Sequence, residues 1–251
     1  MRLTVIGCSG SFPGPDSPAS CYLVEADGFA MLLDLGNGAL GSLQRYHDMF
    51  AIDAVCISHL HADHCVDLTG YWVARTYCPG GKKPSIPVYG PADTADRMAR
   101  AYDFASDPGM RETFDFLTLK QRSVEIGPFQ VTTAAMNHPV DAYGFRIEHG
   151  GVVLAYSGDT GVSAALIDLA RDADLLLCEA SFLEHRENPP DMHLTGREAA
   201  EHAARADVGM LVLTHLLPWN DPAISLAEAK NTSFRGNIEV ARTGAVYELG
   251  R

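Results

Sequence analysis

Four short apolar runs in this chain each lead into a side chain that can ligate a metal. "DAVCIS" runs into His59, "FQVTTAAMN" into His138, "VVLAYSG" into Asp159 and "MLVLT" into His215. Read as strands, they end in loops carried by a rigid sheet, which is where layered α/β folds keep their functional groups. A fold for this chain therefore has to bring four strand ends together. The densest of them is "SHLHADHC", residues 58–65, with three histidines and an aspartate between positions 59 and 64. His59 and His61 are two apart, so in an extended loop they point the same way. Asp63 and His64 then turn toward a second position beside the first.

The remaining pattern supplies the frame. "LTVIG" opens as a strand, and "CYLVEA" and "FAMLLDLG" flank Asp27-Gly28, a pair suited to a type I′ hairpin because both turn positions need positive φ. A short helix is expected after Gly38 and another over "VDLTGYWVART". The second half repeats this logic. "FQVTTAAM" and "YGFRIEH" are strands, Gly150-Gly151 turns the latter into "VVLAYSG", and "ADLLLCEA" is a further strand. Val162, Ala165, Leu166 and Leu169 have helical spacing. Thr195 with Glu198, and Ser225 with Glu228, have the capping-box spacing that starts a helix. "MLVLTH" and "TGAVYEL" close the sheets. Strands interleaved with helices in two similar halves predict an α/β fold, a four-layer αββα sandwich of two mixed β-sheets. One domain over residues 1–251 is expected, since 47% apolar and 20% charged residues can build a core of that size.

Several function classes are disfavoured. The net charge of −13 repels polyanions, so a nucleic-acid partner is not expected, whereas a small anion drawn by a metal centre is compatible. No apolar run approaches the ~18 residues of a membrane span. "MRLTVIGCSG" reads as a first strand rather than a signal peptide, so the cytoplasm is expected. The six cysteines form no C-x-x-C pair and read as reduced packing residues, Cys65 included.

Five histidines (His59, His61, His64, His138, His215) and two aspartates (Asp63, Asp159) suit zinc, manganese or iron(II). Seven donors are too many for one tetrahedral ion and fit two, with one carboxylate bridging; Asp159, alone between strands, is the natural bridge. Two ions ~3.5–4 Å apart can bind both the attacked group and the leaving oxygen and acidify a water. His47, His149, His185 and His202 lack such a context. Asp34, in "LLDLGNG", is expected to orient the histidine loop rather than ligate.

"HLHADH" resembles the H-x-H-x-D-H signature of the metallo-β-lactamase superfamily, and His138, Asp159 and His215 follow in that family's order. The resemblance spans the chain. It implies that His59, His61 and His138 hold one ion, that Asp63, His64 and His215 hold the other, and that Asp159 bridges. "SGDT", "CEASF", "MHLTGREAA" and "LTHLLP" are similar to the ribonuclease Z and phosphodiesterase branch, in which the residues matching Glu179 and His193 act together near the scissile phosphate. His193 precedes the Thr195 capping box, where a helix N-terminus favours an anion. A carboxylate partner would keep its imidazole protonated and able to protonate a leaving oxygen. Ribonuclease Z inserts a long tRNA-gripping arm between the residues matching His138 and Asp159; here they are only 21 positions apart. "GCSGS", "GPDSPAS", "PPDMHL" and "LTHLLPW" bring the resemblance nearest to bacterial cyclic-nucleotide phosphodiesterases of this fold. That implies two divalent ions, zinc first and manganese or iron as alternatives, and hydrolysis of cAMP or cGMP to the 5′-monophosphate. Asp63, Glu179 and His193 would be catalytic, Asp63 by orienting the attacking water. Ser11 and Trp219 are candidate substrate contacts. Relatives of this group are often dimers, so a homodimer is the assembly implied. The rival activities are a lactonase or other small-ester hydrolase and a tRNA 3′-end endonuclease.

Overall fold

The computed structural model describes residues 1–250. Its first half runs β1 (Arg2–Gly7), β2 (Cys21–Ala26), β3 (Phe29–Leu33), α1 (Ala39–Leu43), β4 (Ala54–Cys56), α2 (Ala62–Cys65), α3 (Leu68–Tyr77), β5 (Ile86–Gly90), α4 (Thr94–Ala101) and β6 (Phe114–Thr118). The second half runs β7 (Ser123–Ile126), β8 (Phe129–Ala135), β9 (Tyr143–His149), β10 (Val152–Tyr156), α5 (Ala164–Leu169), β11 (Leu175–Glu179), α6 (Gly196–Arg205), β12 (Met210–Thr214), α7 (Pro222–Lys230), β13 (Asn237–Val240) and β14 (Val246–Glu248). Asp27 and Gly28 both take positive φ, 51° and 80°, and fold β2 back on β3 with Ala26 opposite Phe29.

Two mixed sheets of seven strands result, in the orders β14-β1-β2-β3-β4-β5-β6 and β13-β12-β11-β10-β9-β8-β7. Both follow one plan. The hairpin-linked strands β1–β3 and β8–β10 pair antiparallel, and β3–β6 and β10–β13 continue parallel. β14 leaves the second half and pairs antiparallel with β1, where the Met1 amino group donates to the Leu249 carbonyl at 3.0 Å.

The sheets face each other across a core of Val5, Tyr22, Met31, Leu33, Phe129, Phe145, Leu154, Tyr156 and Leu177. The Tyr22 and Tyr156 rings, one from each sheet, lie 5.1 Å apart. Outside the first sheet, Leu43, Leu68, Tyr71 and Met98 of α1, α3 and α4 bury against Leu23, Leu32 and Val55. Outside the second, Leu166, Ala199 and Ala203 bury against Leu176, Cys178 and Leu211. These are the four layers of the metallo-β-lactamase fold. All six cysteines are buried and unpaired. Among the described residues no helix is long and apolar enough to cross a membrane.

Two helix starts differ from expectation. Val162 is exposed and lies outside α5, which begins at Ala164. Ser225 sits inside α7 and is fully buried; the N-cap is Asp221, whose carboxylate accepts from Ala223 N–H, with Pro222 in the first turn. Proline there fixes a helical φ and removes an N–H that would have no partner, so Asp-Pro outweighs a serine three residues on. Glu228 instead turns away to accept from Glu184 N–H at 2.9 Å and Gly196 N–H at 3.3 Å. The Thr195 capping box at α6 forms as expected.

Candidate active site

Every donor sits on the turn that follows a strand or on the short helix that follows β4. His59 follows β4, His61 is the N-cap of α2, and Asp63 and His64 lie within that helix. His138 follows β8, Asp159 follows β10 and His215 follows β12. His215 has a positive φ of 55°, which turns the chain at the strand end, and its carbonyl accepts from Ser181 Oγ at 2.7 Å. Gly10 packs so close that a Cβ there would meet the His215 backbone.

The structure brings all seven predicted donors together in two adjoining groups. Each residue offers one atom, and within a group these atoms lie within 4.8 Å of one another: His59, His61, His138 and Asp159 in the first, Asp63, His64, Asp159 and His215 in the second. Asp159 belongs to both. The second group is buried throughout, whereas His61 and His138 leave the first open on one side. That side is where a substrate can approach.

The hydrogen bonds around the imidazoles test whether cations fit here. His64 Nδ1–H donates to Asp34 at 2.7 Å, and His215 Nδ1–H donates to Ser181 Oγ at 2.7 Å, whose own proton goes to the His215 carbonyl. Both Nε2 lone pairs are thereby left facing each other at 3.1 Å. Two imidazole acceptors hold that separation only with a positive centre, a proton or a metal ion, beside them. The first group repeats the pattern. His59 Nδ1–H donates to Ser58 Oγ at 3.1 Å and His138 Nδ1–H to the Met192 carbonyl at 2.9 Å. Their Nε2 atoms face His61 Nδ1 at 3.0 and 3.4 Å. Asp159 Oδ1 is buried without a hydrogen-bond donor. The chemistry of these donors fits bound metal ions.

In the first group the electrostatics favour ligation. Burial, helped by neighbouring His64, pushes His59 well below the ordinary imidazole range, and burial first lowers His61 and His138 as well. Neutral imidazoles are the form that ligates. Burial also opposes charge on His64, but the Asp159 and Asp34 carboxylates outweigh it and hold this histidine well above its usual range. Burial would raise Asp159, yet His215, His64 and His59 keep it well below the carboxylate range.

Asp34 is the hub behind the histidines. Fully buried, it accepts from Ser58 N–H at 2.6 Å, Ser58 Oγ at 2.9 Å, His64 Nδ1 at 2.7 Å and, from the opposite sheet, Tyr156 OH at 2.7 Å. Ser58, Ser181, Tyr156 and the Met192 carbonyl went unpredicted, since any hydroxyl or carbonyl can serve such a role and nothing in the sequence marks which will.

Beside both groups stands a second pair. His193 Nδ1–H donates to Glu179 Oε1 at 2.9 Å, and Glu179, fully buried, also accepts from the Thr160, Ser181 and Leu194 N–H groups. Burial disfavours charge on His193, but Glu179, its hydrogen bond and Asp159 prevail and raise the pKa to about 9. Ser11, at a positive φ of 61°, points its N–H at His215 Nε2 at 3.4 Å. Trp219 is 62% exposed on the same flank, its ring 4.8 Å from that of Phe12. His202 is buried, with Ser163 N–H donating to its Nε2, and lies outside the donor groups.

A four-layer sandwich with two adjoining His/Asp groups at its strand ends is the framework of a metallo-hydrolase. Residues 31–216 match the β-lactamase superfamily domain, and the chain belongs to that superfamily. It is 40% identical to an uncharacterised protein of Mycobacterium tuberculosis over 100% of this chain and 93% of that one. It is 30% identical to the probable metallo-hydrolase YhfI of Bacillus subtilis, covering 99% and 100% of the two chains. The crystal structure of YhfI superposes with a TM-score of 0.88, at 28% identity over 99% of each chain. A ribonuclease Z of Myxococcus xanthus is 28% identical over 99% of this chain and 98% of its own.

Proposed function

We propose that the protein is a dinuclear metal-dependent phosphodiesterase that hydrolyses a small cyclic nucleotide, cAMP or cGMP, to the 5′-monophosphate. The observation that carries this reading is the Glu179–His193 pair, hydrogen-bonded at 2.9 Å beside two adjoining donor groups. In this reading His59, His61 and His138 would hold one ion, Asp63, His64 and His215 would hold the other, and Asp159, which belongs to both groups, would serve both. Ions bound there, zinc first with manganese or iron as alternatives, would polarise the phosphoryl group and acidify a water.

The chain's own groups do the rest. Glu179 fixes the His193 ring through Nδ1, which leaves Nε2 as the edge that can meet substrate. A cationic imidazole there offsets charge on the phosphorane oxygens and gives its proton to the departing 3′-oxygen. Asp63, facing His215 Nε2 at 3.0 Å, accepts a hydrogen bond from the attacking water and orients it. Ser11 N–H and the exposed face of Trp219 are candidate substrate contacts on the His215 flank, stacking there being worth ~1–3 kcal/mol.

An ester or lactone hydrolase has less need of the pair, because a carbonyl substrate develops one oxyanion that metal ions can take. The ribonuclease Z relative keeps a second reading, tRNA 3′-end cleavage, in play. Against it, β9 and β10 between His138 and Asp159 form a plain hairpin turned at Gly150-Gly151, and the net charge is −13. The test is turnover of cAMP by purified protein loaded with zinc or manganese, with a pre-tRNA bearing a 3′ trailer in parallel. Formation of 5′-AMP that disappears in His61→Ala supports the proposal. Clean trimming of the tRNA with no action on cAMP overturns it.

A further inference from the structure

The open side of the metal groups adjoins a recess of about 290 Å³ that His61 helps to line. Its walls come from the segments that carry the first group of donors. Leu60 lies between His59 and His61, and Val140 and Asp141 follow His138 by two and three residues. The far wall is the start of α4, with Asp93 as its N-cap and Arg97 one turn on. The recess is therefore built as one piece with the reaction centre, at the small end of ligand-pocket sizes.

Its polar groups are free to act on a ligand. Among the described residues the Arg97 guanidinium makes no hydrogen bond or ion pair, although Asp93, one helical turn away, would be a natural partner. Asp93 and Asp141 are likewise unpaired and exposed. Two carboxylates against one guanidinium make the recess a poor site for a second phosphate. Leu60 and Val140 offer apolar contact for a flat ring, and the three charged groups offer both donors and acceptors at its edge. That combination matches a nucleobase. Arginine donates well to purine ring acceptors, and carboxylates accept from exocyclic amino groups.

Resting on the phosphodiesterase reading, we infer that this recess takes the base of the cyclic nucleotide and that Arg97 is a specificity-determining residue which donates to acceptor atoms on that base. Asp93 and Asp141 accept from its amino group. The Trp219 face on the opposite flank would hold any base alike, because stacking is indifferent to edge chemistry. The His61 flank can tell bases apart, because a site built to hydrogen-bond a group rejects an analogue that lacks it.

The experiment compares cAMP with methyl p-nitrophenyl phosphate, a diester without a base, in wild type, Arg97→Met, Arg97→Lys and Trp219→Ala, with metal content measured for each. Arg97→Met is expected to raise KM for cAMP about tenfold or more with kcat little changed, and to lower kcat/KM for cAMP at least ten times more than for the base-free diester. Arg97→Lys keeps the charge but loses the planar fork, and is expected to recover only part of the loss. The cyclic monophosphate of unsubstituted purine riboside, which lacks the amino group, should be a poorer wild-type substrate than cAMP. Equal loss on both diesters in Arg97→Met would reduce Arg97 to long-range charge and overturn the inference. So would a base-specific KM effect in Trp219→Ala with none in Arg97→Met. If the metal-loaded wild type hydrolysed the base-free diester but no cyclic nucleotide, the functional reading itself would fall.

Discussion

In the proposed reaction His193 is the residue on which the chemistry turns, and its protonation is set by what surrounds it. Replacing it with alanine should lower kcat by about 10²–10⁴-fold, the usual span for a positioned acid. Bound metal should be unchanged, since the seven donors are complete without it. Wild-type turnover with full metal content would remove it from the mechanism. Its pKa is raised, from an ordinary 6.5 to about 9, so the imidazolium and the stabilisation it draws from Glu179 are fully present below 6.5 and fade as pH climbs through 9. The alkaline limb of kcat should therefore lie above the ordinary histidine range, and Glu179→Gln should move it down. An alkaline limb that stays in place in this variant would assign it to another group. At this scale the sequence was informative where the chemistry is rare. Five histidines and two aspartates at strand ends have few other uses, whereas Ser181 and Ser58 are two hydroxyls among many.

At the scale of elements, the donors are held by turns clasped to one another rather than by the strands alone. Leu35 N–H donates to the His64 carbonyl at 2.7 Å, Asp67 N–H to the Leu35 carbonyl at 3.1 Å, and Gly36 lies so near that a Cβ would fall on the Asp63 carbonyl. Gly36 is not among the glycines of positive φ, so Gly36→Ala acts through bulk and not backbone strain. The variant should keep its far-UV circular dichroism while binding substantially less zinc, because it displaces α2 and leaves the sheets intact. Equal zinc content in folded protein would show that the clasp yields without moving the donors. Helix starts were only partly readable. The Thr195 box formed because its threonine and glutamate are free to meet, while Ser225 is buried inside a helix that Asp221-Pro222 had already begun.

For the whole molecule, the two halves follow one topology and divide the donors between them. The first brings His59, His61, Asp63 and His64, and the second brings His138, Asp159 and His215. The repetition could be read from the order of hairpins, strands and helices. The passage of β14 into the first sheet could not, because a terminal strand of this kind pairs equally well with any free edge. Ions held between the two sheets would bind the folded state alone and would stabilise it by mass action, by about 4 kcal/mol at a thousandfold excess over Kd. Chelation should lower Tm, and readdition of zinc should restore it in proportion to the logarithm of free metal. A Tm indifferent to chelators would mean that the sheets hold without the centre.

That division of donors, together with the crossing of β14, has a consequence for a chain cut in the link between Thr118 and Ser123. Neither fragment would own a complete ion site, and the larger would have to lend its last strand to the smaller. Reassembly would become a bimolecular reaction with metal as a third component. Half-reassembly would then come at a fragment concentration that falls as zinc rises, so that metal binding could be read from mixing two inert pieces without any substrate at all.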